Sequence, residues 1–146
     1  MEKQVKKRVL VAEDDPGILE FHQNILSVKY EVTTAANGEE AWKIFQKTPF
    51  SVIVTDIDMP VMDGNDLIRN VISKKPETQI VIVSSVTKAA VALWSTKNNI
   101  TYLPKPVEFA YINIAVSSAF PRYQEQKWLN EMKKLIAKAP FWIKEC

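Results

Sequence analysis

The chain has 146 residues, 47% of them hydrophobic and 25% charged, with a formal net charge of +2. Those proportions describe one ordinary globular domain with a real core and exclude a disordered chain. No apolar run approaches membrane-spanning length, no signal-peptide-like stretch opens the chain, and Cys146 alone excludes an internal disulfide and suits a reducing cytoplasm.

The charge is unevenly spread. Residues 1–8 and 121–146 each carry a net +3, which leaves −4 over residues 9–120. An acidic body with basic ends argues against direct nucleic-acid binding.

Val9–Ala12 is a short, bounded apolar run that predicts a first strand, and it ends in Glu13-Asp14-Asp15. Asp15-Pro16 reads as an N-cap followed by proline at the first helical position, with Ile18, Phe21 or His22, Ile25 and Leu26 on the inner side. His22 is read as a partly exposed helix residue. Val32–Ala35 predicts the second strand. Gly38–Gln46 predicts the second helix, with Ala41, Ile44 and Phe45 together. Val52–Thr55 predicts the third strand and delivers Asp56, which opens the phrase Asp56-Ile57-Asp58-Met59-Pro60-Val61-Met62-Asp63-Gly64. Asp66–Lys74 predicts the third helix, through Leu67, Ile68, Val71 and Ile72. Strand Ile80–Ser84, helix Thr87–Lys97, strand Thr101–Leu103 and helix Val107–Phe120 follow. All five runs are rich in β-branched residues and read as strands buried on both faces.

Strand–helix repeated in this way is an α/β fold, a parallel sheet with helices on both faces. Sites in such sheets form beyond the C-terminal strand ends, at the topological switch point. Glu13-Asp14, Asp56, Ser84 and Lys105 all lie just past strand ends. Crowded carboxylates repel unless a divalent cation sits among them, and a carboxylate beside Mg²⁺ is a nucleophile toward a phosphoryl group.

These positions resemble the receiver domain of two-component response regulators. The resemblance rests on Glu13-Asp14, on Asp56 within its phrase, on Ser84, and on Tyr102-Leu103-Pro104-Lys105-Pro106. It spans roughly residues 6–120 and implies a flavodoxin-like sheet of order 2-1-3-4-5. It also implies a phosphorylation-controlled signalling switch in a phosphorelay, with Asp56 taking a phosphoryl group from a histidine kinase or phosphotransfer protein. Asp14 and Asp56 would then ligate Mg²⁺, with Glu13 acting through water and Asp58 through its backbone carbonyl. Lys105 would neutralise the phosphoryl oxygens, and its bond to Pro106 is expected to be cis. Ser84 would donate to a phosphoryl oxygen, with Tyr102 as the aromatic that follows its loop. No enzymatic turnover beyond the chain's own phosphoryl group is implied.

Departures from the family pattern carry their own expectations. Asn98-Asn99 stands where a Gly-Ala pair is usual, and asparagine tolerates a left-handed turn. Val86 cannot orient water, and Asp58 repels hydroxide, so self-dephosphorylation is expected to be slow. A nearly all-apolar helix over Ala89–Trp94, and Tyr111, Ile114 and Ala115 lying off the Phe109, Ile112 and Val116 stripe, suggest an interface. That interface would be a homodimer through the fourth helix, fifth strand and fifth helix, or through the C-terminal helix.

The receiver is assigned to residues 1–120 and a helical extension or linker to 121–146. Trp128, Leu129, Met132, Leu135, Ile136 and Ala139 recur there at helical spacing, and Pro140 stops the pattern. About two heptads are too short for a self-sufficient coiled coil. The segment pairs with a second subunit, docks on the receiver, or leads to an output domain. No membrane partner is expected. Two alternatives explain fewer residues: a degenerate receiver that binds partners without phosphorylation, and a haloacid-dehalogenase-like phosphatase suggested by Asp56-Ile57-Asp58.

Overall fold

A computed structural model of the chain describes residues 7–85 and 99–144. Five strands alternate with helices: β1 (Arg8–Ala12), α1 (Pro16–Ser27), β2 (Glu31–Ala35), α2 (Gly38–Lys47), β3 (Val52–Thr55), α3 (Gly64–Lys74), β4 (Gln79–Ser84), β5 (Ile100–Pro104), α4 (Phe109–Lys138) and α5 (Phe141–Lys144). The expected helix Thr87–Lys97, with its apolar run and Val86, lies outside the described residues. All strand pairs are parallel, and the sheet order is β2-β1-β3-β4-β5, as expected.

The sheet separates two apolar layers, because successive side chains in a strand point to opposite faces. Leu10, Ile53 and Ile80 pack with α2 and α3 through Phe45, Leu67 and Ile68. Val9, Val54 and Val81 pack with α1 and α4 through Leu26, Ile112 and Val116. Strands β1, β3 and β4 are buried, but β2 and β5 are half-buried edges. The expectation that all five strands are covered on both faces fails at those edges, where each strand has a neighbour on one side only.

Local sequence sets the helix starts. Asp15 accepts from the N–H groups of Gly17 and Ile18, Asn37 from Glu40, and Asp63 from Asp66. Each satisfies a backbone donor that the first helical turn leaves unpaired. Capping by Asp63 starts α3 at Gly64, two residues before the apolar pattern suggests.

The last long helix differs more. The expected fifth helix and the helical extension form one unbroken helix of 30 residues, with Pro121 inside it. Proline removes the N–H that would bond the Ser117 carbonyl. Tertiary contacts on both sides hold the helix through that gap. Phe120 stacks on Tyr30 at 5.3 Å, Tyr123 is buried, and the Arg122 guanidinium donates to Gln79 Oε1 and Thr101 Oγ1, both at 3.3 Å. Phe109, Tyr111 and Ile114 are exposed, while Ile112, Ala115 and Val116 are buried.

Candidate functional site

Register brings the site together. Ala12 at the end of β1 pairs with Thr55 at the end of β3. The next residues, Glu13 and Asp56, therefore emerge side by side where chain order reverses. The Asp56 N–H donates to the Ala12 carbonyl at 3.2 Å, and Thr55 Oγ1 donates to the Asp56 carbonyl at 2.8 Å. Ser84 pairs with Pro104 at the far strand ends, and the Lys105 N–H donates to the Ser84 carbonyl at 2.9 Å. The Lys105–Pro106 peptide is cis.

The side chains converge on Asp56. Its Oδ1 accepts from the N–H groups of Ile57 at 2.7 Å and Asp58 at 3.3 Å, and its Oδ2 accepts from Lys105 Nζ at 2.7 Å. The Ser84 hydroxyl also hydrogen-bonds the carboxylate. Lys105 Nζ reaches Glu13 Oε2 as well, at 3.0 Å, and Glu13 Oε1 accepts from the Asp15 N–H at 3.2 Å. Ligand atoms of Glu13, Asp14 and Asp56 all lie within 4.8 Å of one another. Asp56 and Glu13 are buried, and Asp14 and Asp58 are exposed.

The electrostatics follow from that geometry. Burial alone pushes the Asp56 carboxyl up, but the hydrogen bonds from Lys105 and Ser84, the lysine charge and the Ile57 N–H together hold it below its usual range. Burial pushes Glu13 up, and Lys105 only partly opposes this. For Lys105, burial favours the neutral amine, but Asp56 and Glu13 outweigh it and raise the ammonium. Among the described residues, the Lys105 ammonium thus pairs with Glu13 and Asp56, and Asp14 completes the carboxylate cluster. Compact hard-oxygen donors with an exposed member at the mouth fit a Mg²⁺ ion, which takes one or two carboxylates and keeps several waters.

Around this centre the backbone is tightly drawn. The Met62 N–H donates to the Pro60 carbonyl at 2.9 Å across Val61, whose φ is 69°. That is the strained form of the three-residue turn. It is followed by Gly64, where an added Cβ would collide with the Asp56 carbonyl oxygen. Tyr102 packs at the edge of the core, and its hydroxyl donates to the Ser84 carbonyl at 3.4 Å.

All seven residues singled out from sequence lie at or beside this edge: Glu13, Asp14, Asp56, Asp58, Ser84, Tyr102 and Lys105. The ion pair between Lys105 and Glu13 was not anticipated, because no local pattern reports a contact across 92 residues. His22 was misplaced. It is buried with 2% exposure, its Nδ1 has no hydrogen-bond partner among the described residues, and it lines an apolar groove of about 400 Å³ with Ile18, Phe21, Val83, Lys105 and Val107. Burial, helped by the Lys105 charge, lowers its pKa to about 4. The i, i+4 spacing of Ile18, His22 and Leu26 was the available signal.

Comparison with known proteins agrees with this fold. The family profile described as the response regulator receiver domain matches residues 9–117. The chain is 41% identical over 88 residues to the response regulator receiver protein CpdR of Brucella abortus, covering 60% of this chain and 72% of that one. It is 26% identical over 128 residues to the probable C4-dicarboxylate response regulator DctR of Bacillus subtilis, covering 85% of this chain but only 56% of the relative. A receiver domain crystal structure from Clostridium thermocellum superposes with a TM-score of 0.73 at 28% identity, over 84% of this chain and 98% of that one. Among the described residues no helix is long and apolar enough to cross a membrane.

Proposed function

Since the chain belongs to the response regulator receiver domain family, we propose that it is a phosphorylation-controlled switch whose phosphoacceptor is Asp56. The observation that carries this reading is an ionised, buried Asp56 carboxylate with Lys105 Nζ at 2.7 Å and two further carboxylates within ligand distance.

An Asp56 oxygen attacks the phosphorus of a phosphohistidine on a histidine kinase or phosphotransfer protein. An O–P bond forms as the N–P bond breaks, and the imidazole leaves with its electron pair. The Asp56 oxygen must be a carboxylate for this, which its lowered pKa supplies. Asp14 and Asp56, Glu13 through water and the Asp58 carbonyl would hold Mg²⁺, which supplies positive charge to the phosphoryl oxygens. Lys105 is already anchored between Glu13 and Asp56 and meets the incoming charge with little reorganisation. The Ser84 hydroxyl moves its hydrogen bond from Asp56 to a phosphoryl oxygen. Because the Ser84 carbonyl accepts from Tyr102, movement of that strand end is communicated to the aromatic. The chain turns over only its own phosphoryl group.

The test is intact-protein mass after incubation with acetyl phosphate and Mg²⁺. One added phosphoryl group, dependent on Mg²⁺ and lost in Asp56→Asn, is the expected result. An unmodified wild type would overturn the reading in favour of a phosphorylation-independent binding module, and multiple-turnover phosphate release would indicate a phosphatase.

A further inference from the structure

The outer half of α4 bears an apolar stripe turned away from its own receiver. At 3.6 residues per turn, Trp128, Leu129, Met132, Leu135, Ile136 and Ala139 occupy about 120° of the helix surface. Tyr123, Gln126 and Asn130 lie on the opposite side, toward the body, and are buried or half-buried. Trp128, Leu135 and Ile136 are 59%, 60% and 58% exposed. Docking on the chain's own receiver therefore does not cover the stripe.

We propose that a second copy of this chain covers it, with the two helices antiparallel. Trp128, Met132, Leu135 and Ala139 follow the alternating spacing of a coiled-coil seam, with Leu129 and Ile136 on one flank and Glu131 and Lys138 on the other. In a two-fold antiparallel pair, each contact between positions i and j is repeated as j and i. Setting Met132 against the partner's Leu135 fixes every other layer. Trp128 then faces Ala139 of the other copy, a large side chain against a small one. Leu129 faces Ile136 on one flank, and Glu131 faces Lys138 on the other, twice. No parallel register gives this result, because Glu131 and Lys138 would then flank Leu129 and Ile136.

Shape and charge are thus self-complementary in one orientation. Among the described residues neither Glu131 nor Lys138 is engaged in an ion pair within the chain. A free segment of about two heptads would be marginal. Here the helix continues from a docked first half, so nucleation is already complete. The contact sits at the small end of specific interfaces, so association is weak and concentration-dependent. The inference is independent of phosphorylation at Asp56.

Sedimentation velocity of the full chain over a concentration series tests it. Wild type should dimerise, and Glu131→Lys or Lys138→Glu alone should each weaken the dimer by about tenfold, because both flanking pairs become repulsive. Mixing the two single variants should give a heterodimer, and the double variant should recover wild-type affinity. Circular dichroism confirms that these exposed substitutions leave the fold intact. A chain that stays monomeric, or a dimer insensitive to both substitutions, overturns the proposal. So does a monomer that binds anionic phosphatidylglycerol vesicles through Lys127, Lys133, Lys134 and Lys138.

Discussion

Lys105 Nζ lies 2.7 Å from Asp56 Oδ2, an ion pair between residues 49 apart in sequence, and the same ammonium holds Glu13 at 3.0 Å. One cation therefore offsets the mutual repulsion of two buried carboxylates. Its position is set by the end of β5.

Replacing it with Met exposes that repulsion. Lys105→Met should lose about 1–3 kcal/mol at neutral pH, less than a fully buried pair because the lysine side chain keeps 18% exposure. Without the ammonium, the folded-state pKa of Glu13, already raised, goes higher still, and that of Asp56 moves up from its depressed value. The variant should therefore regain stability as pH falls toward 5, which urea unfolding at several pH values will show. Transfer of phosphoryl from acetyl phosphate should slow by about 10² or more.

His22 predicts a separate pH effect. Its folded pKa is near 4, below the usual 6.5, so the unfolded chain takes up a proton that the folded chain refuses. Stability should fall between pH 6.5 and 4 by about 1.4 kcal/mol per pH unit for this group. Glu13, raised from 4.5, acts in the opposite direction near the lower end, and Asp56, already depressed, contributes only below that window. The difference between wild type and His22→Leu isolates the histidine. A flat difference curve would contradict its burial as a neutral imidazole.

Gly64 has no room for a side chain, since a Cβ would meet the carbonyl of Asp56, the proposed phosphoacceptor. Gly64→Ala should destabilise by about 3 kcal/mol and abolish phosphorylation, because the backbone carrying Asp56 must shift. Val61→Gly, at an exposed residue of φ 69°, should instead be neutral or stabilise by up to about 1 kcal/mol. Thermal unfolding of the two variants separates them.

Asp58 is exposed beside the acyl phosphate that Asp56 would form. Its negative charge should slow the approach of hydroxide, so phospho-Asp56 should persist for many minutes. Asp58→Asn should shorten that lifetime, followed by loss of the phosphoryl mass after donor removal. A wild-type half-life of seconds would contradict the argument.

Much of this protein was written locally. Short β-branched apolar runs and period-3.6 patterns, together with Asp15 as a cap, specify the described strands and most helices. These are short-range steric and hydrogen-bonding effects that need no partner. Strand ends bearing Glu13, Asp14, Asp56, Ser84 and Lys105 also specified that these side chains would gather at one sheet edge. Only the tertiary structure decided that β2 and β5 are half-exposed, that His22 is buried, and that Lys105 bridges to Glu13. It also carried α4 through Pro121, where docking of Phe120, Arg122 and Tyr123 outweighs one lost hydrogen bond, and left the Trp128–Ala139 stripe facing outward. Burial and charge pairing depend on which distant surfaces meet, and a linear pattern records which face is apolar without recording what covers it.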